Sequence, residues 1–302
     1  MPKIGPYELN RVYHGDCLEL MKAIPDGSIP MIWTDPPYGH NNNEGDLNSV
    51  INKIMHVRDD AEYVKTPIAN DGPEQMERVV TGMLKEAGRI MPKDSCCCCC
   101  CCGGGGPTPL FAKVVNWMDT PPLQFFHAIV WFKASLGLGW RYRRSYEFVM
   151  IAHKRGGRLL WETSLSDDTV SNVIVKDTKD ASDFVMLKRP RPTPTEHPNP
   201  KPVKLIKHFL KLHTKPGDIV LDPFSGGAAT GEACIQMGRL FLGFEIDKKW
   251  VDYGNDRLEA ALKGQKVGDF RGNQGSLFGG DVEPEPLAEE EIDNAEEEAD
   301  AE

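Results

Sequence analysis

Short apolar runs alternate along the chain with longer segments whose apolar positions recur every three or four residues. The short runs lie near 11–14, 30–34, 96–102, 126–132, 146–152, 218–222 and 240–245, and read as seven β-strands. The longer segments, at 17–24, 73–91, 108–118, 203–213, 229–238 and 248–262, read as helices. From residue 203, Val203, Ile206, Phe209 and Leu210 make an apolar face, and Lys204, Lys207 and Lys211 fall on a solvated one. Such alternation predicts an α/β fold on one sheet. The runs at 126–132 and 146–152 are joined by KASLGLGWRYRRS with no helix between, which predicts an antiparallel hairpin at one end of that sheet.

Two segments stand outside this rhythm. Residues 40–72 begin HNNNEGD and read as a long polar loop. Residues 155–202 end in RPRPTPTEHPNPKP, where six prolines in fourteen positions forbid a helix. Irregular segments of this length are usually functional loops or linkers.

The run at 96–102 is seven consecutive cysteines followed by four glycines. In a strand covered on both faces no alternation is expected, and cysteine serves there as a small hydrophobe. Neighbouring strand residues point to opposite faces, which is poor geometry for one metal site. Outside the run stand only Cys17 and Cys234, without zinc-module spacing, so no metal centre is expected.

Composition changes the picture in one respect. An apolar share of 40% and a charged share of 26% are those of a soluble globular protein, and the 302 residues suit one large domain or two small ones. No run is long enough to span a membrane, and MPKIGPYELNRVYHG lacks a signal peptide's apolar stretch, so a cytoplasmic protein with reduced thiols is expected. The net charge of −10 misleads: the last 22 residues hold twelve of the 45 acids and no base, leaving 35 bases against 33 acids elsewhere. A tail of that composition is expected to be disordered.

Candidate chemistry gathers at two places. PMIWTDPPYG, residues 30–39, ends a strand in a carboxylate, two prolines and an aromatic ring. The prolines delay the next helix and hold Asp35, the Pro36 carbonyl and Tyr38 at the strand's carboxyl end, where ligands collect in open α/β sheets. Two acceptors and a flat ring suit an exocyclic amine on a nucleobase, with the ring stacked on the base. PGDIVLDPFSGGAATGEA, residues 216–233, runs from strand through a small-residue loop into a helix, and Glu245 ends the next strand. Gly226 and Gly227 allow close backbone approach, and an acid at Glu245 suits a ribose diol. This order points to a nucleoside cofactor. There is no GxxxxGK[ST] loop for a nucleoside triphosphatase and no full GxGxxG for a dinucleotide.

Together VYHGDCLELM, TDPPYG, RRSYEFVMIAHK, HPNPKP and DPFSGG resemble the amino-methylating DNA methyltransferases, over roughly residues 10–262. The catalytic motif precedes the cofactor motif, as in that family's permuted β group. Related RNA guanine and protein-glutamine methyltransferases usually carry the cofactor motif first. The resemblance implies a three-layer sandwich around a Rossmann-like sheet ordered 3-2-1-4-5-7-6, with strand 7 antiparallel and the chain supplying strands 3, 4, 5, 6, 7, 1 and 2 in turn. It implies S-adenosylmethionine as cofactor and double-stranded DNA as partner, with base flipping and direct methyl transfer. Residues 1–154 would be the catalytic half, 155–196 a target-recognition insert, 197–263 the cofactor-binding half, and 264–302 a disordered linker and acidic tail.

Residue roles implied by the matched motifs follow. Asp35, Pro36, Pro37 and Tyr38 would bind and activate the base. Asp16, Asp222, Pro223, Phe224, Ser225, Gly226, Gly227 and Glu245 would line the cofactor pocket, with His197 and Lys201 beside its methionine end. Asp16 also suits the N-cap of the 17–24 helix. Ala228 replaces the loop's second glycine, a problem if that position needs positive φ. Asn41, Asn42 and Asn43, the cluster Arg141, Arg143 and Arg144, and the cluster Lys188, Arg189 and Arg191 are candidate DNA contacts. DPPY favours adenine N6 where SPPY favours cytosine N4. No Pro-Cys pair is present for cytosine-C5 chemistry. Other readings are an N4-cytosine enzyme and a DNA-binding protein that keeps the fold without catalysis. The short insert points to a short recognition site or a second subunit, hence a homodimer. QGSLF, at 274–278, resembles sliding-clamp docking peptides, with Gln274, Leu277 and Phe278 as anchors.

Overall fold

The structure is a computed structural model that describes residues 2–39, 69–101, 110–132, 145–161, 173–174 and 201–276. The chain opens with a small ribbon, β1 (Lys3–Ile4) and β2 (Tyr7–Glu8), and then β3 (Arg11–His14), α1 (Cys17–Leu20) with a tight 3-10 turn Met21–Ala23, and β4 (Met31–Thr34). Next come α2 (Pro73–Ile90), β5 (Asp94–Cys101), α3 (Leu110–Met118), β6 (Leu123–Phe132), β7 (Tyr146–Lys154), β8 (Arg158–Leu159) and β9 (Val173–Ile174). The remainder is α4 (Val203–His213), β10 (Ile219–Asp222), α5 (Ala229–Gln236), β11 (Leu240–Glu245), α6 (Lys248–Leu262) and α7 (Val267–Ser276).

The main sheet runs β3-β11-β10-β4-β5-β7-β6-β9, with β8 paired to β5 beside this path. Its first seven positions are the order 3-2-1-4-5-7-6 expected from the resemblance. β3, β11, β10, β4 and β5 are parallel, and β7 is antiparallel to both β5 and β6. The hairpin predicted from the helix-free connection is therefore β6–β7.

Helices cover both faces. Met76, Val79, Val80, Met83 and Leu84 of α2 join Val114 and Met118 of α3 and Met21 and Ile24 in one core. Leu205, Ile206, Phe209 and Leu210 of α4 join Ala233 and Cys234 of α5 and Val251 and Leu258 of α6 in the other. The cysteine strand lies between them. Cys96 through Cys99 have no exposed surface, with Cys97 and Cys99 in the first core and Cys96 and Cys98 in the second. Burial holds the Cys97 and Cys98 thiols far above their ordinary pKa, so both are neutral.

The structure departs from the sequence reading in four places. The 17–24 helix is one α-turn plus the 3-10 turn. The sheet also has two short strands inside the segment read as an insert: β8 pairs Arg158 and Leu159 with Asp94 and Ser95, and β9 pairs with Val130 and Trp131. Two-residue strands carry too little periodicity to be recognised, and here pairing to an existing sheet defines them. The β1–β2 ribbon was missed for the same reason. Finally, residues 267–276 are helical, not linker. Phe270 is buried, Arg271 Nε donates to Asp256 Oδ2 at 2.7 Å, and the Arg271 guanidinium lies 5.1 Å from the Tyr253 ring centroid. Docking on α6 outweighs the low helix propensity of Gly268, Gly272 and Gly275. Gln274 lies in the last turn of α7, while Leu277 and Phe278 fall outside the described residues. No described helix is long and apolar enough to cross a membrane.

Candidate active site

Four neighbouring parallel strands, β3, β11, β10 and β4, each end in or lead directly to an acid: Asp16, Glu245, Asp222 and Asp35. Strand order alone brings them to one edge of the sheet. Met31 to Thr34 are fully buried, so β4 is fixed from both sides, and Asp35 is the first residue past its end.

The turn after Asp35 is held from the start of α2. Asp71 Oδ1 accepts from the amides of Tyr38, at 3.0 Å, and Gly39, at 2.9 Å. Gly39 has φ +72, where glycine costs least. The Tyr38 hydroxyl donates to Asp35 Oδ1. Lys201 Nζ donates to the Tyr38 hydroxyl at 3.2 Å and lies 3.1 Å from Asp35 Oδ2. Its other ion-pair partner is Glu147 Oε2 of β7, at 3.1 Å. Lys201 and Glu147 are both buried. The Asp35 carboxyl is held above its ordinary pKa, mainly by desolvation, while Lys201 and the Tyr38 hydrogen bond pull it down and Glu147 pushes it up.

The second motif forms a cradle on β10. Asp222 Oδ2 accepts from Thr230 Oγ1 at 2.6 Å, and Oδ1 from the Phe224 amide at 3.1 Å, so one carboxyl ties both ends of the loop. Burial pushes Asp222 up to about 7, and Asp35 and Glu245 add to the rise. Glu245 Oε2 accepts from the Gly226 amide at 2.8 Å, and Oε1 from Asp247 N at 2.9 Å. Its pKa is raised by burial, against those amide hydrogen bonds. Gly226 has φ +47 and Ala228 φ +55 with ψ 37, so both are left-handed. The alanine thus occupies a conformation that favours glycine, at a cost of about 1–2 kcal/mol. It is held by its N–H, which donates a hydrogen bond to the Ser225 carbonyl at 2.8 Å, and by full burial.

Asp16 caps α1, its Oδ1 accepting from Leu18 N at 2.8 Å, and Gly15 N donates to the Glu245 carbonyl at 2.9 Å. Asp16 is thus the N-cap of α1, at the same edge of the sheet as Glu245 and Asp222. Acids suited to hydroxyl and amine groups, with a glycine loop between them, fit an adenosyl cofactor, and the buried Ser225 Oγ has no partner among the described residues.

Of the residues expected at the site, Asp16, Asp35, Pro36, Pro37, Tyr38, Lys201, Asp222, Pro223, Phe224, Ser225, Gly226, Gly227 and Glu245 are described and lie along this edge. Lys201, expected beside the cofactor's methionine end, contacts Tyr38 and Asp35 of the DPPY turn. His197, Asn41, Asn42, Asn43, Arg141, Arg143, Arg144, Lys188, Arg189 and Arg191 lie outside the described residues. Asp71 and Glu147 were missed. An Asp-Gly-Pro helix start and a lone acid in an apolar strand were the available signals.

A family model described as DNA methylase, for the N6/N4 amino-methyltransferases, matches residues 29–256. The chain belongs to this family. The DNA adenine methyltransferase YhdJ of Escherichia coli K12 is 25% identical over 276 residues, covering 84% of each chain. The type II methyltransferase M.HhaII of Haemophilus parahaemolyticus is 23% identical over 232 residues, covering 76% of this chain and 87% of its own. Among solved structures, the M1.HpyAVI–SAM complex superposes with TM-score 0.54 at 20% identity, over 82% of this chain and 98% of that one. The cytosine-N4-specific PvuII DNA methyltransferase gives TM-score 0.56 at 18% identity, over 84% and 93%. These likenesses establish the methylase fold and leave the target base open.

Proposed function

We propose that this methylase transfers a methyl group from S-adenosylmethionine to the N6 amine of adenine in double-stranded DNA, as a member of the permuted β group. The observation that carries the reading is the placement of Asp35, Pro36 and Tyr38 just past the end of β4, which pairs with β10, the strand that leads into the glycine cradle. Asp at the head of the motif supports adenine over cytosine.

The bound cofactor would supply an electrophilic methyl on a sulfonium. Glu245 and Asp16 would hold its hydroxyl and amino groups, and the backbone at Gly226 and Gly227 would lie against it. Asp35 and the Pro36 carbonyl would each accept one hydrogen of the flipped base's amine, localising the nitrogen lone pair for in-line attack. Tyr38 would stack on the base while its hydroxyl and Lys201 keep Asp35 oriented. The elevated pKa of Asp35 suits its carboxylate to take the proton that the amine sheds on methylation. The three DNA-contact clusters named from sequence belong to the same proposal.

Incubation with DNA and labelled cofactor, followed by nucleoside analysis, tests it. N6-methyladenine is the expected product. N4-methylcytosine as the sole product overturns the adenine reading, and no labelled nucleoside at all favours a non-catalytic DNA-binding protein.

A further inference from the structure

Adjacent cysteines of β5 diverge, but alternate ones converge. Cys96 and Cys98 point into the second core, with their Sγ atoms 3.2 Å apart. His213, the last residue of α4, meets them there: one ligand atom from each of the three lies within 4.8 Å of the others, and all three residues are buried. Cys96 pairs with Met31 and Cys98 with Trp33 of β4, and both thiols lie on the face of the sheet that α4 covers.

The imidazole's protonation state follows from geometry. His213 Nδ1 lies 2.7 Å from the Leu160 carbonyl, which can only accept, so Nδ1 carries the hydrogen and Nε2 a bare lone pair. That Nε2 is buried with no hydrogen-bond partner among the described residues. Leaving such an acceptor dry and unmet is unfavourable, so the geometry calls for a partner. A ring fixed through one nitrogen to a carbonyl, with the other bare, is how metal-ligating histidines are oriented. Rings also fix it: Trp161 is edge-on at 5.4 Å and Phe209 stacked at 6.3 Å.

We propose that Cys96, Cys98 and His213 form a structural binding site for a thiophilic divalent ion, Zn(II), joining β5 to the end of α4. Two thiolates and a neutral imidazole give zero net charge around a divalent ion, the arrangement a dry interior tolerates best. Binding displaces the two thiol protons and leaves the imidazole tautomer unchanged. Three protein ligands leave a fourth tetrahedral position for water.

The test uses the full chain, reduced and stripped of metal, titrated with Zn(II) against a chromophoric chelator and with Co(II) as a spectroscopic probe. One equivalent should bind, and Co(II) should give a sulfur-to-metal charge-transfer band. Cys98→Ala and His213→Phe should each weaken binding by about a hundredfold or more, beyond the range for losing an outer-shell partner. Cys97→Ala, on the opposite face, should leave it unchanged. Absence of the band in the unaltered chain, or equal loss in Cys97→Ala, overturns the site. The spectrum of the unaltered chain decides even where a variant fails to fold, and neither result depends on methylation.

Discussion

Lys201 Nζ stands 3.1 Å from Asp35 Oδ2, so the cation next to the DPPY turn comes from the segment entering α4 rather than from the turn itself. It stands equally close to Glu147. Two carboxylates around one ammonium form a cluster in which removing any member shifts the others. Among the described residues, the groups that act on Asp35 include Tyr38 on its own turn, Lys201, Glu147 on β7 and Asp222 on β10. In Lys201→Met the two carboxyls are left to share a proton, which raises the Asp35 pKa further. Ionised Asp35 is then reached only at higher pH, so the acidic limb of the kcat profile should move upward. Its plateau should fall at least tenfold, which corresponds to about 1.4 kcal/mol of lost transition-state stabilisation. Glu147→Gln removes a neighbouring negative charge and should move the same limb downward. Identical limbs in all three proteins would show that Lys201 and Glu147 act only as packing.

Asp222 predicts an unusual stability profile. Its pKa rises from 3.8 to about 7 on folding, so the folded state holds its proton more tightly than the unfolded chain. Its stabilising contribution is complete below about pH 4, declines between pH 4 and 7, and is gone above that range. Asp222→Asn cannot titrate, yet keeps an acceptor for Phe224 N. The variant should therefore gain on the wild type between pH 5 and pH 8, by an amount of the order of kilocalories per mole. Urea midpoints at the two pH values measure this. A constant difference between the proteins would rule out the elevated pKa.

Asp71 Oδ1 holds the DPPY turn through two amides. Asp71→Ala removes this shared acceptor and should lower kcat by roughly tenfold or more, at about 1–3 kcal/mol for the lost acceptor. Asp71→Asn retains an acceptor oxygen and should recover most of the rate. Failure of the asparagine variant to recover would assign the loss to the charge instead.

Much of this architecture was legible because it rests on patterns with a fixed period. The seven main strands and the helices that cover them follow from apolar spacing, and the Cys96–Cys99 strand could be read as a scaffold from its place between two helices. Asp35 and the Gly226–Gly227 loop were legible because each follows an apolar strand. Asp71 and Glu147 were not, since each acts through a partner more than 30 residues away, and the local signal each carries, a helix start or a lone strand acid, does not name that partner. α7 was hidden by its glycines, because the Phe270 and Arg271 contacts that hold it are tertiary. The Cys96–Cys98–His213 grouping was hidden likewise: two residues come from one strand and the third from a helix over 100 positions later.

Ala228 and Gly254 supply the sharpest test of the cradle. Ala228 is left-handed at φ +55, and a Cβ on Gly254 of α6 would lie 3.2 Å from the Ala228 Cβ and 3.1 Å from Val12 Cγ2. The two positions thus have room for one methyl between them. Ala228→Gly relieves about 1–2 kcal/mol of left-handed strain and loses roughly 0.8 kcal/mol of methyl burial, so its stability should change little. Gly254→Ala gains up to about 1 kcal/mol of helix propensity but crowds Val12 Cγ2 and the Ala228 Cβ, and should weaken S-adenosylmethionine binding. Together, Ala228→Gly and Gly254→Ala move the methyl from the strained loop to the helix. The pair should be more stable than the sum of the single changes predicts, by about 1 kcal/mol, and should restore cofactor affinity. Thermal melts and calorimetric titration of the four proteins measure both. Additive behaviour would mean that loop and helix do not share this contact, and that the alanine is tolerated for a reason other than the space opposite it.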